Sequence, residues 1–221
     1  PREHRHEELG LDEQSFLRQV GRRTWLFFES FVGPSDQWLP PDNYQEDPRG
    51  EVAHRTSPTN VGMYLVSCVV ARDFGWHGAT ELLFRLRNTL DALDRMETYG
   101  GHTYNWYDTR TLEPLLPRYV STVDSGNLAA ALLVAQQACA EAAVAPTIPA
   151  TRWEGLLDAL DLLVDAIRRV ELSEVQRDRL LACCRDIREL TDKTRNETHR
   201  WQTALHELSE ELGPKLDAAL V

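Results

Sequence analysis

The chain has 221 residues, a formal net charge of −11 and a pI near 5.1. That is long enough to bury a core, as one domain or a domain plus an appendage, and too acidic for a general binder of nucleic acid or anionic membrane. No apolar run approaches the roughly 20 residues that span a bilayer, and the opening PREHRHEELG is polar, so neither a spanning helix nor a signal peptide is expected.

Residues 1–11 read as a polar tail, and the absence of an initial Met is expected of a piece cut from something longer. Asp12 can cap a helix running to about Val32, with Phe16, Val20, Phe27, Phe28 and Phe31 at roughly helical spacing, until Gly33-Pro34 breaks it. Trp38 to Asn60, WLPPDNYQEDPRGEVAHRTSPTN, is polar and aromatic with hardly an aliphatic residue. Loops of that length, when ordered, are usually functional. This one delivers into a helix over about 58–74, with Ser57 as N-cap, Pro58 at the first helical position and Gly75 at C′. Almost uncharged before Arg72, that helix is apolar all round and must be buried.

A helix over about 79–99 follows a short turn. Leu82, Leu83, Leu86, Leu90, Leu93 and Met96 stripe one face, and Glu81, Arg85, Arg87, Asp91 and Arg95 cover the other. The alternation then repeats. Gly101 to Asn127, GHTYNWYDTRTLEPLLPRYVSTVDSGN, is a second polar-aromatic loop that opens onto an apolar helix over about 125–143. After Pro146 and Pro149 comes a striped helix over about 152–170, through Trp153, Leu156, Leu157, Leu160, Leu163, Val164 and Ile167.

Buried, amphipathic, buried, amphipathic is the order of inner and outer helices in an all-α fold, the α/α barrel or toroid. The expected segment is 12–170, a partial barrel, since two inner helices cannot close one. Residues 171–221 read as a charged helical extension, with Leu180, Cys184, Ile187, Leu190, Trp201, Leu205, Leu208 and Leu212 along one side and an interruption at Gly213-Pro214. Inner helices separated by one antiparallel outer helix run parallel. Both long loops therefore converge on one rim, at helix N-termini where oxygen-rich ligands are favoured.

The loop carboxylates are Asp42, Glu46, Asp47, Asp108 and Asp124. Paired carboxylates across a cleft are what glycosidic chemistry requires, so Glu46, Asp108 and Asp124 are catalytic candidates. The alternative is capping or pairing with Arg49, Arg55 and Arg118, and Asp124 beside an inner helix fits capping best. Trp38, Tyr44, Tyr104, Trp106 and Tyr107 offer rings on which sugar C–H faces can stack, or plugs for the barrel end. Arg55 fixes either a substrate hydroxyl or the loop itself, and His54 has no metal-ligand spacing. There is no HExxH, CxxC, phosphate loop, nucleophile elbow or nucleotide fingerprint, so no metal and no cofactor are expected in this segment. Cys68, Cys139, Cys183 and Cys184 lie in helical patterns and read as packed free thiols in a reducing compartment.

RRTWLFFESFV, WLPPDNYQEDP, AHRTSPTNVGMYLVSCVVARDFGW and GHTYNWYDTRTLEPLLPRYVSTVDSGNLAAALL resemble the cyclic β-1,2-glucan synthases over about Arg22 to Leu133. The resemblance implies very large bacterial inner-membrane enzymes in which a glucosyltransferase part extends a β-1,2-glucan from UDP-glucose. A middle α/α-barrel domain cyclises the chain by retaining transglycosylation, and a phosphorylase-like part trims it. This segment resembles the opening of the middle domain, whose catalytic carboxylates belong further on, so the isolated chain is expected to be inactive.

The implied partners are a β-1,2-glucan chain and the remaining domains of the same polypeptide, with no nucleic acid and no membrane insertion by this segment. The implied place is the cytoplasmic face of the inner membrane. Trp38, Tyr44, Tyr104 and Trp106 would then contact glucose rings, and Asp42, Asn43, His54, Arg55, Asn105 and Asp108 would bind hydroxyls. The other expectation is a non-catalytic helical scaffold or interdomain brace. With an open barrel edge, the apolar helices should leave a flank that self-associates.

Overall fold

The computed structural model describes residues 9–220, so the polar tail expected over 1–11 lies outside the described residues up to position 8. The chain is mostly helical and forms two compact units. One is Trp25–Arg152, and the other takes the chain up to Thr24 and again from Trp153.

In the unit Trp25–Arg152, the helix Pro58–Asp73 (α2) forms as its sequence dictates. Ser57 Oγ accepts the Asn60 amide at 3.2 Å, and Pro58 fills the first position without losing a bond. The far end closes as a Schellman motif, with the Gly75 amide on Arg72 O and the Trp76 amide on Ala71 O. Gly75 sits at φ +81°, where a Cβ would also run into the Thr151 carbonyl, so this position requires glycine twice over. Val61, Tyr64, Leu65, Cys68 and Ala71 are fully buried.

The helix Thr122–Val144 (α4) lies parallel to α2. Thr59 in the first turn of α2 bonds Asp124 in the first turn of α4, and one turn on Gly62 abuts Asn127, Leu128 and Ala131. Only one face of α4 is buried, through Leu128, Ala131, Ala135 and Ala138. Leu133 remains 67% exposed, and the expectation that an all-round apolar helix must be buried fails for α4. By length and composition alone, α4 is also the one helix among the described residues that could cross a membrane.

The helix Ala79–Arg95 (α3) buries Leu82, Leu86, Thr89 and Ala92. Leu83 and Leu90 of the expected stripe instead line an open groove between α3 and α4. α3 stops short of residue 99 because Thr98–Tyr99 (β4) and His102–Thr103 (β5) pair as a hairpin about Gly100-Gly101, both at positive φ. Two more short ladders interrupt the expected all-helical character, and they belong to the site below. The helix Leu11–Phe31 (α1) enters this unit at Trp25. That buried ring meets Phe28 and His77 and lies under the Arg85 guanidinium. Phe16 and Val20, counted in its expected apolar stripe, are exposed.

In the other unit, Arg18 of α1 forms a bidentate pair with the buried Asp158 of the helix Thr151–Arg169 (α5), at 3.1 and 2.6 Å. Leu160 and Ile167 pack with Leu180, Cys184 and Ile187 of the helix Glu174–Thr194 (α6) and with Leu212. α6 carries a complete capping box, Ser173 with Gln176.

The chain breaks at Arg195–Glu197 and not at Gly213-Pro214. Helix Trp201–Glu207 (α7) continues through a wide turn, in which the Gly213 amide reaches back to Leu208 O, into Gly213–Leu220 (α8). That five-residue step absorbs Pro214, which has no amide to donate, without ending the helix.

Candidate functional site

The two long loops meet. Arg55–Thr56 (β3) pairs antiparallel with Tyr107–Asp108 (β6), placing Arg55 opposite Asp108 and Thr56 opposite Tyr107. This juncture stands at the N-termini of α2 and α4, the rim on which the loops are expected to converge. Arg55 lays its guanidinium 5.3 Å from the centre of the Trp106 ring and donates to Asp42 Oδ2 from Nε (3.1 Å) and Nη2 (2.9 Å). Asp42 is thereby held from both sides, because Asn60 in the first turn of α2 donates to its Oδ1 at 3.3 Å and Asn43 to its Oδ2 at 3.1 Å. The cation rests on a ring and a carboxylate together, an arrangement suited to the flat, delocalised arginine head.

A second carboxylate anchors the other helix. Ser121 caps α4, and Asp124 stands three residues on, inside its first turn rather than before it. Thr59 donates to Asp124 Oδ1 at 2.6 Å. The buried Asn105 amide, oriented so that every atom has a partner, donates to Asp124 Oδ2 at 2.9 Å. Its oxygen accepts from Trp106 Nε1 (2.8 Å) and from the Tyr119 hydroxyl (2.7 Å). Burial alone would raise the Asp124 pKa, but hydrogen bonding with Ser121 and Thr59 outweighs it, and the carboxyl lies below its ordinary range. Asn127 closes the circuit by donating to Thr59 Oγ1 at 3.0 Å.

The remaining predicted residues are placed as follows. Asp108 turns in on its own chain, accepting the Arg110 and Thr111 amides at 2.8 and 3.0 Å; these bonds hold its pKa down against a raising effect of burial. Glu46 is exposed near the tip of the hairpin formed by Tyr44–Gln45 (β1) and Glu51–Val52 (β2). Tyr44 stacks on Phe31 at 4.8 Å, and its hydroxyl end lies close over Gly50. Trp38 packs edge-on against Phe84 of α3 at 4.9 Å, and its carbonyl accepts from Thr89. Tyr104 lies under the Arg118 guanidinium.

His54 Nδ1 faces the buried Asp36 at 2.7 Å, and Thr109 bonds the same carboxylate oxygen, so Asp36 ties three segments together. The geometry thus gathers Asp42, Asn43, Arg55, Asn105, Trp106 and Asp124, and sets Trp38, Tyr44 and Glu46 apart in contacts of their own. Sequence reasoning missed Thr59, Asn60, Asn127, Asp36 and Tyr119. Thr59 and Asn60 were legible as polar residues in the first turn of an otherwise apolar helix; nothing local marks Asp36. Among the described residues no group of three or more His, Cys, Asp or Glu could hold a metal ion. Cys68 is buried, which pushes its thiol up to about 12 and leaves it inert.

Chemically the rim offers donors and acceptors of both signs, every carboxylate of the network hydrogen-bonded, and no concentrated charge. That suits a neutral polyhydroxylated ligand better than an anion. No family model matches the chain. Over 175 residues it is 47% identical to the cyclic beta-(1,2)-glucan synthase NdvB of Rhizobium meliloti (strain 1021), a match that takes 78% of this chain and 6% of that protein. Among solved structures, a candidate glucoamylase from Bacteroides fragilis NCTC 9343 superposes with a TM-score of 0.51 at 19% identity, covering 70% of this chain and 37% of the other. At that identity the likeness concerns the fold alone, and it is to a helical glucoamylase-like fold. By its sequence the chain belongs, as a short stretch, to the cyclic β-1,2-glucan synthase family.

Proposed function

We propose, from that membership, that the chain is part of an α/α-barrel transglycosylation (cyclisation) domain and supplies it with glucan-binding loops. In this reading α2 and α4 are inner helices, α3 and α5 are outer ones, and the barrel is partial. The observation that carries the reading is the β3–β6 joint. It draws one loop from each inner helix to a common rim and sets Arg55, Trp106, Asp42, Asn105 and Asp124 side by side. The ligand is a β-1,2-glucan, whose hydroxyls the Asp, Asn and Arg side chains would address.

The chain alone is inactive in this reading. Asp108 and Asp124 are tied into turns and helix ends, and a general acid needs a carboxyl free to meet the substrate. The remaining partners are the other domains of the same polypeptide, at the cytoplasmic face of the inner membrane, and no cofactor acts in this segment. α4 belongs to the barrel and not to a bilayer, since it carries Asp124, Asn127, Gln136, Gln137 and Glu141 along its length.

Titration of the chain with linear β-1,2-glucan, followed by calorimetry and tryptophan fluorescence, tests the reading. Binding heat with a Trp signal that Arg55→Ala removes is the expected result; no heat and no signal from the folded chain would sink it. The exposed flank of α4 favours one rival, a non-catalytic helical brace between domains. A brace would give no glucan response and would associate with flanking segments of the same enzyme.

A further inference from the structure

The aromatics that look most like sugar platforms in the sequence are engaged by the protein itself. Arg55 covers a face of Trp106, Arg118 lies over Tyr104, Tyr44 stacks on Phe31, and Trp38 meets Phe84. Tyr119 differs. Its side chain is 47% exposed, and among the described residues no aromatic ring or cation lies on its ring. Its hydroxyl, however, bonds the buried Asn105 amide at 2.7 Å, and its carbonyl accepts the Asn105 backbone amide at 2.9 Å.

The neighbours of Tyr119 in the chain are fastened as well. Arg118 pairs with Glu97 at 2.9 Å, and Ser121 caps α4. A half-exposed ring whose polar end and backbone are both fixed has lost its freedom before any ligand arrives. Such preorganisation removes the ordering cost that weakens binding by mobile side chains. The same Asn105 amide joins Tyr119 to Trp106 and Asp124, so the open ring stands beside the polar network and not elsewhere on the surface.

Resting on the glucan reading above, we propose that Tyr119 is the stacking platform of the subsite. Its open face receives the apolar C–H face of a glucosyl ring, while the network of Asp42, Asn105 and Asp124 borders the ring's hydroxyls. Trp106 is then a wall of the subsite, with its indole N–H directed into the network.

The experiment is calorimetry of the chain with linear β-1,2-glucan for wild type, Tyr119→Phe, Tyr119→Ala and Tyr99→Ala, each checked for native circular dichroism. Tyr99, exposed on the Thr98–Thr103 hairpin, is the control. Stacking predicts that Tyr119→Ala weakens binding about tenfold, in line with a ring contact of moderate strength. Tyr119→Phe, which keeps the ring and loses only its tether, should stay within about threefold of wild type, and Tyr99→Ala should match it.

If Tyr119→Ala binds as wild type does, the platform assignment is overturned while the glucan site stands. If Phe and Ala weaken binding equally, Tyr119 acts only as a strut through its hydroxyl, and the platform is again overturned. If wild type does not bind at all, the glucan reading itself has failed, and the platform with it.

Discussion

α2 and α4 are near twins in composition, and they fare differently. Both are almost free of charge over most of their length, and each begins at a serine cap and lies along the other. α2 is enclosed along most of its length, with Val61, Tyr64, Leu65 and Cys68 shut from solvent and only Met63 and Val70 of its large apolar residues exposed, whereas α4 keeps Leu133 and Val134 in water and buries chiefly alanines. An all-round apolar sequence states that a helix needs cover on every side, but it does not state which chain provides it. For α2 the cover is α1, α3 and α4. For α4 one face is met by α2, α3 only borders it across the open groove, and among the described residues nothing covers Leu133.

The sharpest way to break the enclosed side is at its far end. Gly75→Ala places a Cβ in left-handed backbone, which alone costs about 1–2 kcal/mol, and drives it into the Thr151 carbonyl. The expected loss exceeds about 4 kcal/mol by urea denaturation, a large share of the roughly 5–15 kcal/mol that holds an ordinary domain folded. Leu65→Ala, in the middle of α2, should cost about 2–5 kcal/mol, and Leu133→Ala in α4 no more than about 0.5. Equal losses at the two leucines would mean that α4 is as enclosed as α2, and the contrast would be wrong.

Where the twins are joined, Asp124→Ala should cost about 1–3 kcal/mol, because it strands Thr59 and Asn105 without their acceptor. It should also change the fluorescence of Trp106, whose indole N–H bonds the same Asn105 amide. Acid acts on the closed side. His77, two residues beyond Gly75, donates from Nδ1 to the Gly78 carbonyl, and its buried Nε2 has no partner among the described residues. Burial lowers its pKa from the ordinary 6.5 and outweighs the Gly78 hydrogen bond, which raises it; Arg85 and Arg152 also lower it and Glu81 raises it.

The folded chain therefore holds His77 neutral, while the unfolded chain protonates it as pH falls below about 6.5. Its contribution is fully present above that pH and is lost on acidification. Asp108 and Asp124, with lowered pKa values, add further losses only in the carboxylate range below it. His77→Phe should flatten the slope of stability between pH 6.5 and the carboxylate range. An unchanged slope would remove His77 from the account.

Much of this architecture is readable from residues alone. Ser57-Pro58 and Gly75 mark the ends of α2 through rules that depend only on a few neighbouring residues, and the structure agrees with them to within a position. The convergence of the two loops also follows from helix order, because a short turn forces antiparallel neighbours. Legibility ends where partners are distant in sequence. Asp36 reads as an ordinary residue of GPSDQ until His54 and Thr109 close on it. Trp38 and Tyr44 have the composition of a binding loop but rest on Phe84 and Phe31, and no local pattern separates a packed ring from an offered one. Asp108 carries a turn that only its backbone geometry reveals. At Gly213-Pro214 local punctuation misleads, because a helix can widen by one residue instead of stopping.

The smallest expected change in stability decides most about the open side. Leu133 faces solvent near the middle of α4, and Glu is nearly as good a helix former as Leu, so Leu133→Glu should alter the stability of this chain by about 0.5 kcal/mol or less. It should nevertheless lower self-association in sedimentation velocity and the binding of an apolar-surface dye, because it puts a charge into the apolar surface of α4 that Leu133 and Val134 leave in water. The same substitution in a longer polypeptide that supplies the next helix would bury a carboxylate against it, at a cost of several kcal/mol. A change that is silent in this chain and severe in the longer one is what a barrel flank requires. Silence in both would make α4's surface idle, and the twin helices would differ for no reason of packing.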